Sequence, residues 1–332
     1  MRKINIPIFV SHQGCPNDCI FCNQKKITGV YKKEKSVEIY EKIKKYLDTA
    51  PEECEIEISF FGGSFTGIDF EEQNMYLDIA NKFLSDERIK GIRLSTRPDY
   101  INDKILKNLK DKNVTTIELG VQSMNDKVLL MNKRGLKAED TKKAVRKIRE
   151  YGFSLGLQMM VGMYGSTKED DIYTANRLIE LKPDFVRIYP TVVIKETELF
   201  RLFESGEYTP YTVDEAVEIC AKLLTMFEEN NIKVIRLGLM AGEEINEKNV
   251  FGPYHSSFRE LTESKIYYDK IKEQLKEVDY KDVVISCKNT LTSKIIGNRR
   301  KNLINLKNEF KLNSIAVINE DIDDFVIKEG NL

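Results

Sequence analysis

Residues 5–22 read NIPIFVSHQGCPNDCIFC. The first half is apolar and β-branched and predicts a strand. Directly after it come Cys15, Cys19 and Cys22, three cysteines within eight residues and no fourth nearby. In parallel α/β barrels the reacting groups gather at the carboxyl ends of the strands. A cysteine group in that place therefore reads as chemistry at a barrel mouth. Structural zinc and most ferredoxin sites use four protein ligands. Three thiolates can hold three irons of a [4Fe–4S] cluster and leave the fourth iron open to another molecule. The competing reading is a zinc knuckle completed by His12 or by a distant cysteine.

Outward from that loop, strand-like and helix-like runs alternate. ECEIEISFF, GIRLSTRP, TTIELGVQS, FSLGLQMMVG and FVRIYPTVV read as the next five strands, and IKVIRLG as an extra one. Helical periodicity fills the gaps near 37–47, 72–84, 102–113, 126–133, 139–151, 168–181 and 213–229. Six β-then-α units imply right-handed crossovers and a parallel sheet. Six are too few for a closed eight-stranded barrel. The expected fold is α/β, a partial (β/α)6 TIM-type barrel over residues 1–241. Residues 242–280 read as a charged helical connecting segment. From Lys281 the pattern changes: VVISCK is strand-like, TLTSKIIG and KNLINLKNEF helix-like, SIAVINED and DFVIKEG strand-like. That predicts a small α+β module over 281–332.

Composition narrows the function classes. The chain has 332 residues, 41% hydrophobic and 32% charged, with a net charge of −1. A sizeable core is expected, and bulk charge offers no polyanion binding, though local basic patches can. No apolar run reaches the roughly 20 residues of a membrane span, and the N-terminus lacks a signal-peptide core, so a cytoplasmic protein with no membrane partner is expected. Its six cysteines then read as metal ligands or buried thiols rather than disulfides. Cys54, Cys220 and Cys287 lie in apolar surroundings and are expected in the core.

Several strand ends carry polar or glycine residues. Gly62 and Gly63 after the second strand permit close backbone approach to a ligand, or make an ordinary turn with Ser64 or Thr66 as helix cap. Arg97 after the third strand reads as a surface ion pair. Glu118 and Gln122 have even spacing, which places both on one face of the fourth strand. Unpaired polar groups there are costly, and ligand binding is the favoured reading over an internal ion pair. Met159 and Met160 read as core. His255 reads as a capped loop residue, with a proton donor as the alternative.

The spacing CxxxCxxC, with Phe21 just before Cys22, resembles the signature of the radical S-adenosylmethionine (SAM) superfamily. That resemblance implies that the open iron is chelated by the amino and carboxyl groups of SAM. An electron from the cluster then splits the sulfonium into methionine and a 5′-deoxyadenosyl radical. It further implies that Gly62, Gly63 and Ser64 stand where a GGE-type motif meets the SAM amino group, with Ser64 in place of the frequent Glu. Ser95 and Thr96 would lie near the ribose, Arg134 in NKRG would pair with the SAM carboxylate, and Phe21, Glu118, Gln122, Gln158 and Tyr189 would complete the set. The stretches FFGGSFTGI, STRPDY, ELGVQSM, RIYPTVVIKETEL, GEYTPY and IRLGL are similar to the radical SAM domain of the Elongator catalytic subunit over residues 1–260. The cysteine spacing is narrower than in those enzymes. The chain has no length left for their acetyltransferase domain, so acetyl-CoA chemistry is not carried over. A reducing partner such as flavodoxin or ferredoxin is implied.

The segment IIGNRRKNLINLKNEFKLNSIAVINE resembles a KH domain, in which a GxxG loop between two helices clamps a nucleotide backbone. Here the loop is Gly297, Asn298, Arg299 and Arg300, with Lys301 following, and Arg300 replaces the second glycine. Lys288, Lys294, Arg299, Arg300, Lys301, Lys307 and Lys311 face Glu309 alone in that region, an excess that favours phosphate contact. The alternative is a solvated face on a docking domain. Three functional readings follow: a radical SAM enzyme modifying tRNA or rRNA, a radical SAM enzyme acting on a small molecule such as a porphyrinogen, and a zinc-bearing RNA-binding protein without catalysis.

Overall fold

The computed structural model describes residues 2–10, 14–15, 19–23, 26, 34–240 and 245–330. His12, the candidate fourth zinc ligand, lies outside them.

Among the described residues seven strands form one sheet: β1 (Arg2–Phe9), β2 (Cys54–Phe61), β3 (Ile89–Thr96), β4 (Val114–Gln122), β5 (Ser154–Val161), β6 (Phe185–Pro190) and β8 (Lys233–Leu237). Every neighbouring pair is parallel and strand order follows chain order. The sheet begins at β1 and ends at β8 without pairing them, so it curls into an open, partial barrel. IKVIRLG, expected as an extra strand, is the seventh parallel member, set against β6.

The crossovers are helices α1 (Ser36–Thr49), α2 (Phe70–Asn81), α3 (Asp103–Asp111), α4 (Asp126–Met131), α5 (Ala138–Glu150), α6 (Lys168–Glu180) and, after a short α7 (Glu198–Glu204), α8 (Val213–Glu229). Their starts are written locally. Asn102, Asn125, Thr167 and Thr212 each accept backbone N–H groups of the first turn, which satisfies donors that have no helical partner. The inner side chains of α1, α3 and α5 (Ile39 and Ile43, Leu106 and Leu109, Val145 and Ile148) join strand residues such as Ile58, Leu94 and Leu157 in one large core.

The connecting segment differs from expectation. Among the described residues its first half is not helical: β9 (Val250–Phe251) pairs antiparallel with β7 (Val193–Ile194). Val192, Ile194, Ile245, Val250 and Tyr254 cluster under that ribbon. Only α9 (Phe258–Leu275) is a long helix. Phe258 belongs to the barrel core, whereas Ile271 and Leu275 belong to the C-terminal core. One helix therefore serves two cores.

The C-terminal module has β10 (Asp282–Cys287) at the centre of three strands, parallel to β11 (Ser314–Asn319) and antiparallel to β12 (Phe325–Glu329). Helices α10 (Thr292–Ile296) and α11 (Lys301–Phe310) flank the Gly297–Arg300 turn. Cys287 and Cys220 are fully buried and Cys54 nearly so, as expected of core thiols.

Candidate active site at the strand ends

The cysteine loop is seated by backbone interlock. Gly14, with φ +67°, lies so close to the β2–α2 loop that a Cβ would stand 2.3 Å from the Ser64 carbonyl oxygen. A Cβ on Gly67 would stand 2.1 Å from the Gly14 carbonyl oxygen. Two glycines thus let two main chains touch, which no other residue allows. The other end of the loop is tied by Ile20, whose carbonyl accepts from Leu199 N at 2.8 Å. Ile20 packs with Val193, Leu199 and Tyr208, and Phe21 packs on that cluster. Phe21, expected beside the cofactor, therefore has a packing role as well.

Between these anchors Cys19 is buried, Cys22 half-buried and Cys15 exposed. Cys22 N donates to Cys19 O at 2.9 Å, a tight turn. Arg134 Nη1 donates to Cys19 Sγ at 3.3 Å, and its Nη2 donates to the Gly120 carbonyl. Among the described residues no group of three or more His, Cys, Asp or Glu side chains is gathered to cage a single ion. Three thiolates that each bind a different iron of a cubane have no need to converge on one point. The charge set fits a cluster: cysteine sulfurs held beside two buried guanidiniums.

The second of those is Arg97. It is 4% exposed, not the surface ion pair expected. Its Nε and Nη2 donate to the Asp99 carboxylate at 2.9 and 3.0 Å, and Nη2 also donates to Arg134 O at 2.6 Å. Burial works against its charge, but Asp99 and then Cys15 and Cys19 outweigh that and hold the guanidinium above its usual value.

Ser64 does not cap a helix. Its Oγ hydrogen-bonds Thr96 Oγ1 at 2.9 Å and accepts from Arg97 N at 3.3 Å, and Thr66 Oγ1 meets Thr96 Oγ1 at 2.6 Å. This hydroxyl knot pins the glycine loop to the end of β3. Gly62 takes φ +88° there, while Gly63 beside it does not need the left-handed region.

The same-face premise for Glu118 and Gln122 needs correction. Gly120 pairs with Gln158, yet Gln122 pairs with Met159, and Gln122 has φ +69°. A bulge breaks the two-residue alternation between them. Gln122 Nε2 turns toward Gly120, beside Arg134. Glu118 is corrected too: it is fully buried and forms the internal ion pair that was the second choice. It accepts from Arg93 Nη1 at 2.8 Å, Arg187 Nε at 2.6 Å, Arg187 Nη2 at 2.9 Å and Gln158 Nε2 at 2.8 Å. Burial opposes its charge, yet Arg187 and Arg93 keep the carboxyl below its usual range. Arg93 also pairs with Glu57, and Gln158 reaches Ser95 Oγ at 3.4 Å. A belt of charge thus crosses the barrel interior below the strand ends. Its sequence signal was present: arginines at 93 and 187 in otherwise apolar strands.

His255 Nδ1 accepts from Ser257 N at 3.0 Å, the loop role favoured from sequence. In the C-terminal turn Gly297 has φ +75° and a Cβ there would strike Asn302. Asn302 Nδ2 in turn donates to Ser264 O at 3.0 Å and Lys294 O at 3.2 Å. Asn298, Arg299, Arg300 and Lys301 are exposed. Arg299 and Arg300 both adopt left-handed backbone, φ 51° and 63°. Lys301 pairs with Asp214 at 3.1 Å. Asp214 is in the first turn of α8, and barrel helices start where strands end. The basic turn therefore lies on the rim that carries the cysteine loop.

Known proteins agree with this architecture. The Radical SAM superfamily profile matches residues 9–178 and the Radical SAM C-terminal domain profile residues 183–268. A tRNA uridine(34) acetyltransferase of Methanocaldococcus jannaschii is 34% identical over 184 residues, 49% of this chain and 34% of its own length. Elongator complex protein 3 of Homo sapiens is 27% identical over 191 residues, 52% of this chain and 35% of its own. The chain thus spans about a third of the length of these relatives. In structure, archaeal Elp3 from Methanocaldococcus infernus with residues 1–46 deleted matches with a TM-score of 0.62 at 23% identity, over 82% of this chain and 63% of that one.

Proposed function

This chain belongs to the radical SAM superfamily, whose cofactors are a [4Fe–4S] cluster and SAM, and from that premise we propose that it modifies RNA, with tRNA as the favoured substrate. In this reading Cys15, Cys19 and Cys22 hold the cluster. Gly62 and Gly63 offer backbone approach, and Gln122 and Arg134 offer an amide and a guanidinium to the amino and carboxyl ends of SAM. Ser95 and Gln158 border the same space from below, and Glu118 holds Gln158 from beneath. When bound, the two cofactors would supply radical chemistry at an unactivated C–H bond.

The chain's own residues do the rest. The Gly14–Gly67 interlock fixes where the cysteines stand relative to the glycine loop. Arg97 and Arg134 counter the thiolate charge. The Glu57–Arg93–Glu118–Arg187 belt pairs opposite charges across the barrel floor, below the open end.

What supports the RNA reading is the basic turn, exposed at Asn298–Lys301 and tied through Lys301 to Asp214 at the strand-end start of α8. A folded RNA cannot be enclosed by a half-barrel and needs a grip outside it. Exposed arginines beside the reacting end supply one, since phosphate contacts position a nucleic acid. The names of the relatives favour tRNA over rRNA. A one-electron donor of the flavodoxin or ferredoxin class completes the system.

The test is made on the reduced, reconstituted protein. It should release 5′-deoxyadenosine from SAM, and mass spectrometry of RNA nucleosides should show one species that depends on the gene. Replacing both Arg299 and Arg300 by Glu should weaken tRNA binding about tenfold or more, at roughly 1 kcal/mol per lost phosphate contact, and flatten the salt slope. Uncoupled SAM cleavage should persist. Unchanged RNA affinity and an unchanged nucleoside profile would transfer preference to a small-molecule substrate.

A further inference from the structure

Arg97 is more constrained than an ion pair with Asp99 requires. The side chain is buried, and its five N–H groups lie in a rigid plane. Nε and one N–H of Nη2 form the side-on edge that meets Asp99. The other N–H of Nη2 is directed at the Arg134 carbonyl. In a planar guanidinium, the neighbouring N–H of Nη1 points in that same direction. Nη1 is buried and has no hydrogen-bond partner among the described residues. Leaving a buried donor unpaired is unfavourable, so its retention asks for an acceptor.

The surroundings say where that acceptor is. Arg134, whose carbonyl Arg97 holds, donates from its own side chain to Cys19 Sγ. The backbone N of Arg97 donates to Ser64 Oγ, and the Ser64 carbonyl is packed on Gly14, the residue before Cys15. Arg97 is thus bracketed by both ends of the cysteine loop, and Cys15 and Cys19 are among the charges it feels.

We propose that Arg97 is a positioning residue that directs an N–H of its unpartnered Nη1 at the thiolate–sulfide face of the cluster and thereby raises the cluster's reduction potential. Hydrogen bonds to cluster sulfurs and local net charge both set that potential. Reduction adds one electron from an external donor and no proton, so the reduced state carries one more negative charge beside a fixed cation. Asp99 holds the guanidinium in plane, and Arg134 is held by it in turn. The inference rests on the cluster assignment above.

The experiment uses the full chain, reconstituted anaerobically, with Arg97→Gln and Arg97→Lys beside wild type. Iron is counted, and the reduced cluster is titrated by electron paramagnetic resonance against mediators, without SAM turnover as a readout. At the wild-type midpoint, the reduced-to-oxidised ratio of Arg97→Gln should fall about tenfold, which is about 59 mV for one electron. Arg97→Lys keeps charge but cannot fork to Asp99, Arg134 and the cluster together, and should fall between the two. Unchanged midpoints in both variants with full iron would overturn the inference while leaving the cluster assignment intact. Loss of most iron in both variants would also overturn it, making Arg97 a support for the loop. Wild-type protein that takes zinc and no iron would instead overturn the assignment beneath it.

Discussion

Replacing Glu118 by Gln should destabilise the barrel more than any single change on its surface. Glu118 is fully buried and accepts from Arg93, from Arg187 twice and from Gln158. Gln keeps the shape and removes the charge. Arg93 then retains Glu57, but Arg187 retains no carboxylate among the described residues. Removing one partner of a buried ion pair typically costs about 3–5 kcal/mol, because the other charge is left uncompensated. The upper half of that range is expected, since one carboxylate serves two guanidiniums. With a guanidinium chloride slope of roughly 4 kcal/mol per molar, the unfolding midpoint should drop by about 1 M. The double change Glu118→Leu with Arg187→Met should recover more than half of the loss, since apolar replacement of a buried pair is often neutral. The sign with pH is set by the lowered carboxyl. Its stabilisation is present above the unfolded value and is lost as pH falls through the folded one, so the two proteins should converge in acid. A loss below about 1 kcal/mol, or a double variant no better than the single one, would refute the charge-belt account.

Three further outcomes are expected. Wild-type protein should carry about four irons per chain with absorbance near 400 nm, and Cys19→Ala should lose both, as judged by iron assay after anaerobic desalting. Gly14→Ala must push a Cβ into the Ser64 carbonyl at 2.3 Å from a left-handed backbone. It should cost about 1–3 kcal/mol and shorten iron retention on challenge with a chelator; normal retention would mean the interlock is dispensable. Asp171 is 2% exposed, and burial pushes its carboxyl up to about 7, against bonds from Ser166 and Gly162. A raised acid contributes its stability fully below the unfolded value and loses it as pH climbs through the folded one, here between about pH 4 and pH 7 at roughly 1.4 kcal/mol per unit. Wild type should therefore lose up to about 4 kcal/mol relative to Asp171→Asn from pH 4 to pH 8, and parallel denaturation profiles would contradict it.

Much of the site was legible because it is local. A strand followed by a three-cysteine loop, a glycine pair after the next strand, and Arg134 three residues beyond a short helix are all short-range patterns. The misreadings have a common cause. Arg97 looked like a surface charge because its burial depends on loops that are distant in sequence. Glu118 looked like a ligand group because its partners Arg93 and Arg187 come from strands 25 and 69 residues away. Gln122 looked like its face-mate because even spacing assumes an unbroken pleat, and a bulge at the strand end breaks it.

By itself, the sequence determined the alternation of strands and helices, the parallel sheet that such alternation requires, the cysteine loop at a strand end, and the strand–helix–turn–helix–strand order of the C-terminal module. Those follow from periodicity and turn chemistry, which act between neighbours along the chain. Tertiary structure alone decided which charges satisfy one another inside the barrel, that Gly14 and Gly67 touch, that one helix serves two cores, and that the basic turn stands on the cysteine rim. Those are contacts across tens to hundreds of residues, and their energies come from burial and pairing that no local pattern carries.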